Sequence, residues 1–205
     1  MKLTTRELAI LAVFGAVWGV VEISLGSVLK SLNVPLSGMV LSSIGLTVAL
    51  IGRVFVPRKG STLFIGILAM LLKLFSMGNI IIGPMIGIIL EALIAEIVLS
   101  LFAKPSWLAF MLAGMLGVFI TLVQPFITGP LLFGRNLFVV WLDFVDNGIR
   151  LLGFGKNAVG WLVLSMAAIY LAMGGLVGGV SWSLASQLAK RTGKVGNSVL
   201  QRRSQ

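Results

Sequence analysis

The sequence predicts an all-α integral membrane protein: a bundle of six transmembrane helices, both termini cytoplasmic, with an amphipathic segment between helices 5 and 6. Three observations predict it. Of 205 residues, 58% are hydrophobic and 11% charged, with a mean hydropathy of +1.09, whereas a soluble domain carries about 25% charged residues. Six apolar segments bounded by charge, Pro or Gly stand out at or near the ~20 residues that a helix needs to cross a bilayer. The basic residues divide unevenly between alternate connections, eleven of the 16 falling on the side of the N-terminus, which places that side in the cytoplasm.

The first segment, Leu8–Leu29, follows Lys2 and Arg6 and so resembles a secretory leader. The run continues past Trp18 and Glu22 without a small-x-small cleavage site, so an uncleaved first span and a chain beginning at Met1 are expected. The second span is placed at Leu36–Val56, the third, a short one, at Ser61–Met77, the fourth at Ile80–Phe102 and the fifth at Trp107–Phe126. The stretch "RNLFVVWLDFVDNGIRLLGFGKN" then carries Asp143, Asp146 and Arg150. That is too charged for a span and fits an amphipathic helix in the interface or folded over the outer mouth. The sixth span is Ala158–Leu188. Residues 1–190 thus form one six-helix domain, and 191–205 a basic cytoplasmic tail expected to be disordered. No internal repeat is visible.

Lys2, Arg6, Arg53, Arg58, Lys59, Lys104 and the basic tail lie inside in this arrangement, against Lys30, Lys73, Arg135, Arg150 and Lys156 outside. A seventh span through Asp143 would carry the basic tail outside, against that asymmetry. The net charge of +10 therefore reports topology rather than a nucleic-acid partner.

Zero Cys and zero His remove disulfides, thiolate nucleophiles, histidine bases and the commonest transition-metal ligands. "DNGIR", Asp146 to Arg150, faintly resembles the metal-binding helices of membrane-embedded phosphatidyl-alcohol transferases. Asp143 and Asp146 are the only Asp residues, so that chemistry lacks its ligands. There is no Walker loop, so any use of ATP falls to a partner. No enzyme activity, metal or cofactor is expected.

Helical phase sorts the remaining candidates. Ala9, Ala12, Ala16 and Gly19 recur at spacings of three and four, forming one smooth stripe on the first span. Such a stripe serves packing inside the bundle or close approach of another subunit's helix. "GGLVGG" in the sixth span pairs Gly174 with Gly178 and Gly175 with Gly179, and is assigned to packing within the bundle. Trp18 and Glu22 are four apart and adjacent, an aromatic face beside a carboxylate that suits an organic cation or an amino-bearing ring. The competing reading is that Glu22 is neutralised by protonation or by an internal partner such as Lys73. In the fourth span Gly83, Gly87, Glu91 and Ala95 repeat every four residues, so Glu91 sits in a channel of small side chains near mid-membrane, against which a helix or a ligand must pack. Glu96 is five residues on, about 140° round the helix. The two carboxylates therefore form no acid/base dyad, and Glu96 is expected to pair with Arg53 or Lys104 at the inner surface.

The chain resembles the substrate-binding S components of energy-coupling factor (ECF) vitamin transporters: about 200 residues, six predicted spans, no catalytic equipment, and "AVFGA", Ala12 to Ala16, on the first helix. The fourth span, "GNIIIGPMIGIILEALIAEIVL", is similar to the hydroxymethylpyrimidine/thiamine group of that family, through Gly78, Asn79, Gly83, Pro84, Met85, Ala95 and Glu96. The resemblance implies capture of a small water-soluble vitamin or precursor near the outer surface of the cell membrane. It further implies docking of the Ala-x-x-x-Ala face on a transmembrane T subunit joined to two cytoplasmic ATPases, and toppling in the bilayer to release substrate inside. Trp18, Glu22, Asn79 and Glu91 are the expected pocket residues, with Trp141 from the outer cap; Ala9, Ala12, Ala16 and Gly19 are the expected subunit interface. The alternative is a self-sufficient proton-coupled carrier or channel using Glu91 and Glu96, and a third reading is an assembly protein with no small ligand.

Overall fold

The computed structural model describes residues 3–75, 82–102, 104–153 and 158–191, the last three of these by backbone alone. They form seven helices: α1 (Thr5–Ser31), α2 (Ser37–Phe55), α3 (Ser61–Lys73), α4 (Ile82–Leu101), α5 (Trp107–Phe133), α6 (Leu137–Leu152) and α7 (Val159–Arg191). Five of them, α1, α2, α4, α5 and α7, are long and apolar enough to cross a membrane. α3 has 13 residues, about 20 Å of helix against a hydrocarbon core of ~30 Å. The expected amphipathic segment is α6. Met77 and Ile80, where the third span was expected to end and the fourth to begin, lie outside the described residues, as does the tail beyond Arg191.

Local chemistry sets the ends. Thr4 and Glu7 close a capping box on α1, the Thr4 hydroxyl accepting from the Glu7 amide and the Glu7 carboxylate from the Thr4 amide. Ser106 and Asn136 cap α5 and α6 with one side-chain acceptor each, taking the Ala109 and Phe138 amides. Hydroxyls inside the apolar helices turn back on their own backbone, as Ser27 does to the Ile23 carbonyl, Ser43 to Met39 and Ser181 to Val177; this satisfies them without water. One expected end was misplaced. α5 continues to Phe133 rather than stopping at Phe126, because Pro125 and Pro130 are absorbed inside the helix, which membrane helices tolerate far better than soluble ones.

Packing follows the small residues. On α5 and α7, Gly114 faces Gly174 and Gly178 so closely that a side chain on any of the three would strike the facing backbone. Gly66 of α3 meets Ala92 of α4, and Gly45 of α2 receives the indole of Trp18. Two buried clusters result. One, around Trp18, Leu11, Ile65 and Ile88, joins α1–α4; the other, around Leu46, Leu50, Phe110 and Tyr170, joins α2, α4, α5 and α7. Contact order along the helices also gives direction. Gly15 and Gly19 meet Leu68 and Leu72, so α1 and α3 run parallel. α4 runs against α3 and α5, and α7 against α5. The start of α1 and the end of α7 consequently lie at the same end of the bundle.

At that end α4 holds α3 in place. The residue before α3, Gly60, has φ +92°, a conformation that favours glycine, and it has no side chain to cap the helix. The acceptor comes from Glu96, which takes the Gly60 amide at 2.7 Å, the Thr62 amide at 3.0 Å and the Ser100 hydroxyl at 2.7 Å, and lies 3.3 Å from the Arg53 guanidinium. Of the two expected partners, Arg53 is the one Glu96 meets. Glu7 and Arg58 add a second pair, at 2.7 Å.

Candidate functional site

At the opposite end of the bundle α3 stops early. Lys73, its last residue, lies beside Glu22 and Gly26 of α1, whereas α1 continues to Ser31, roughly two turns further. Under that step in the wall opens a cavity of about 780 Å³ between α1, α2, α4, α5 and α7. Its polar lining includes Glu22, Lys30, Lys73, Glu91, Gln124 and Tyr170, with hydroxyls from Ser27, Ser31, Ser37 and Thr121.

Glu22 is neutralised internally. The Lys73 ammonium donates to its carboxylate at 3.2 Å and to its main-chain carbonyl at 2.5 Å, and both side chains are almost wholly buried. Glu91 lies in the same cavity under different circumstances. It is 5% exposed, its Oε2 has no hydrogen-bond partner among the described residues, and neither has the nearby Ser42 hydroxyl. A carboxylate left unpaired in an apolar bundle is costly, and Oε2 is free to accept from a donor such as the neighbouring Ser42 hydroxyl or a group entering the cavity.

The channel of small residues on α4 is filled by α5. Gln124 lies across Gly87 and donates to the Gly83 carbonyl at 2.7 Å, and Gly117 brings α5 up to the backbone at Glu91. Helix contact, not ligand alone, explains that spacing. Pro125 has no amide hydrogen, so the Thr121 carbonyl loses its helical donor, and both residues line the cavity.

A second lobe of about 960 Å³ adjoins the first, sharing Ser37, Gly38, Thr121, Pro125 and Tyr170. α6 forms one side of it through Asp143, Phe144, Asn147 and Arg150. α6 is seated by Val140 against Gly129 of α5 and by Gly148 against Leu162 of α7. An ion pair between Arg135 and Asp143, at 2.5 Å, lies at the rim.

The expected site residues are distributed unevenly. Glu22 and Glu91 share the first lobe. Trp18 does not line it: the indole is fully buried between α1, α2 and α3, with its Nε1 unpaired. Trp141 lines neither lobe: it stacks on Phe144, ring centres 5.8 Å apart, and lies 6.4 Å from Phe126, and those two phenylalanines line the second lobe. Asn79 lies outside the described residues. Ala9, Ala12 and Ala16 are exposed, next to exposed Val13, Val17 and Val20, while Gly19 turns inward and packs on Leu72. The stripe is therefore divided: three alanines face outward and the glycine serves α1–α3 contact. Sequence reasoning missed Gln124, Thr121, Tyr170 and Arg150 as lining residues. Gln124, an amide within an apolar span, and Tyr170, the single Tyr of the chain, were the available signals. No family model matches the chain, and no curated protein or solved structure does either.

Proposed function

We infer that the protein is the membrane-embedded substrate-capture subunit, the S component, of an ECF-type importer for a small water-soluble vitamin or precursor, with the hydroxymethylpyrimidine/thiamine group as the nearest pattern. The observation that carries this reading is Glu91, an unpaired buried carboxylate in a cavity large enough for a small organic molecule and open at one end of the bundle. Glu91 takes a cationic or amino group of the substrate, Gln124 offers a further hydrogen bond, and the Glu22–Lys73 pair holds α1 and α3 at the mouth. On this reading, energy comes from partner ATPases, reached through a T subunit that docks on the outward face of Ala9, Ala12 and Ala16; the exposure of those three alanines supports the docking face. The cavity faces the outside of the cell membrane, both termini the cytoplasm, and α3 counts as the sixth, short crossing.

Mass spectrometry of the gently purified protein, with ligand titration of the wild type and Glu91→Gln, tests the reading. Loss of a charge-assisted hydrogen bond is worth about 1.5–3 kcal/mol, roughly tenfold to a hundredfold in affinity. Equal affinity in the variant would remove Glu91 from the site. The same unpaired carboxylate also suits a self-sufficient proton-coupled carrier. Uptake by the protein alone in proteoliposomes under a proton gradient would establish that second reading, and strict dependence on ATPase subunits the first.

A further inference from the structure

The two lobes differ in charge. In the first, Lys73 answers Glu22 and leaves Glu91 without a partner, while Lys30 stands exposed on the lining. In the second, Asp143 is taken by Arg135, and Arg150 makes no ion pair among the described residues. A buried acceptor, Glu91, is thus open in the first lobe with the exposed Lys30 on the same lining, and the guanidinium of Arg150 is open in the second, with Tyr170 and Thr121 on the wall the lobes share.

We propose that the bound molecule is two-ended, an ammonium or cationic ring nitrogen against Glu91 and a phosphate or carboxylate reaching Arg150, with an aromatic or heterocyclic middle against Tyr170. The inference rests on the capture reading and narrows its substrate. A cation alone answers Glu91 and leaves the second lobe unused; an anion alone leaves Glu91 unpaired in apolar surroundings. A molecule with both ends satisfies both, and its opposite charges offset one another in part in the low-dielectric bundle. The two ends are unequal in worth. Glu91 is buried, so its contact is strong, whereas Arg150 is exposed and its contact is screened by solvent. The same ammonium-plus-phosphate chemistry exists in a phosphatidylethanolamine headgroup, so the experiment separates a soluble ligand from a lipid.

The full chain is reconstituted in phosphatidylglycerol nanodiscs and titrated with thiamine and with thiamine monophosphate, one cationic ring without and with a phosphate. The expected result is about tenfold tighter binding of the monophosphate, the scale of one charge-assisted contact. Arg150→Ala should abolish that preference, bringing the monophosphate to the affinity of thiamine in the same variant; Arg150→Lys should keep it; Glu91→Gln should weaken both ligands. Equal affinities, or a preference that survives Arg150→Ala, overturn the two-ended ligand while thiamine binding still upholds capture. No binding of either probe, with nothing retained on purification, takes down both. Repetition in nanodiscs containing phosphatidylethanolamine should leave the monophosphate affinity unchanged; its loss there assigns the site to the lipid headgroup and overturns the soluble ligand.

Discussion

Single residues in this bundle carry opposite duties although their side chains are the same. Glu91 and Glu96 stand five apart on one helix, yet Glu96 is saturated by two amides, a hydroxyl and a guanidinium while Glu91 has an oxygen with no partner. Glu96→Ala should therefore be a folding defect. Removing it strands a buried Arg53 and uncaps α3, a loss of about 3–5 kcal/mol for breaking such a pair, read as a lowered thermal unfolding midpoint in detergent. The double variant Arg53→Met/Glu96→Leu should recover only part of it. The apolar swap removes the stranded charge, but the Gly60 and Thr62 amides still lack their acceptor, about 1–3 kcal/mol for each buried unsatisfied group. Full recovery in the double variant would show that the capping bonds contribute nothing. Glu91→Gln, in contrast, should leave the unfolding midpoint within about 0.5–1 kcal/mol of wild type, since no internal hydrogen bond to Oε2 is lost.

At the scale of the element, length and composition read well from the sequence and rotation about the axis read badly. The spans announce themselves because ~20 apolar residues have few alternatives to crossing a bilayer. Which face of a span looks inward is another matter, because lipid and core are equally apolar and a helix such as α1 carries little amphipathic signal. Trp18 illustrates the difficulty: its proximity to Glu22 was legible, but the space that swallows it belongs to Gly45 on another helix. Gly174 and Gly178 were assigned to packing correctly because glycine's missing side chain is itself the signal, whereas Gly175 and Gly179, read in the same motif, do not share that role. Gly179 has nothing within contact distance of an added side chain, and Gly175 meets Met111 and Met115 only at 3.6 Å. Gly178→Leu should consequently disrupt the α5–α7 contact and reduce folded yield severely. Gly179→Leu should be accepted, costing no more than about 1 kcal/mol. Size-exclusion profiles of the two proteins side by side decide this, and equal behaviour would mean that the α5–α7 crossing is not where it is described.

For the whole molecule, the way the bundle sits in the bilayer turns on the short helix α3. Its first turn is held by Glu96 at the end of the bundle where α1 begins, and its last residue reaches Glu22 near the cavity. On the proposed reading, that course makes α3, with its 13 residues, a sixth crossing parallel to α1. The start of α1 and the end of α7 then lie together, with the cavity opening at the other end of the bundle. The chain has no cysteine, so single introduced thiols report this without background. Lys59 and Lys104, exposed at the ends of α2 and α4, should as Cys variants react with a membrane-impermeant maleimide only after permeabilisation. Asn147→Cys on α6 and Phe75→Cys just beyond α3, both exposed, should react in intact cells. Phe75→Cys reacting on the same side as Lys59→Cys would reduce the crossings to five. Asn147→Cys shielded in intact cells would turn the cavity toward the cytoplasm, where a capture subunit has nothing to collect. The distribution of basic residues predicts neither, since inverting the bundle would expose eleven of 16 Lys and Arg on the wrong face.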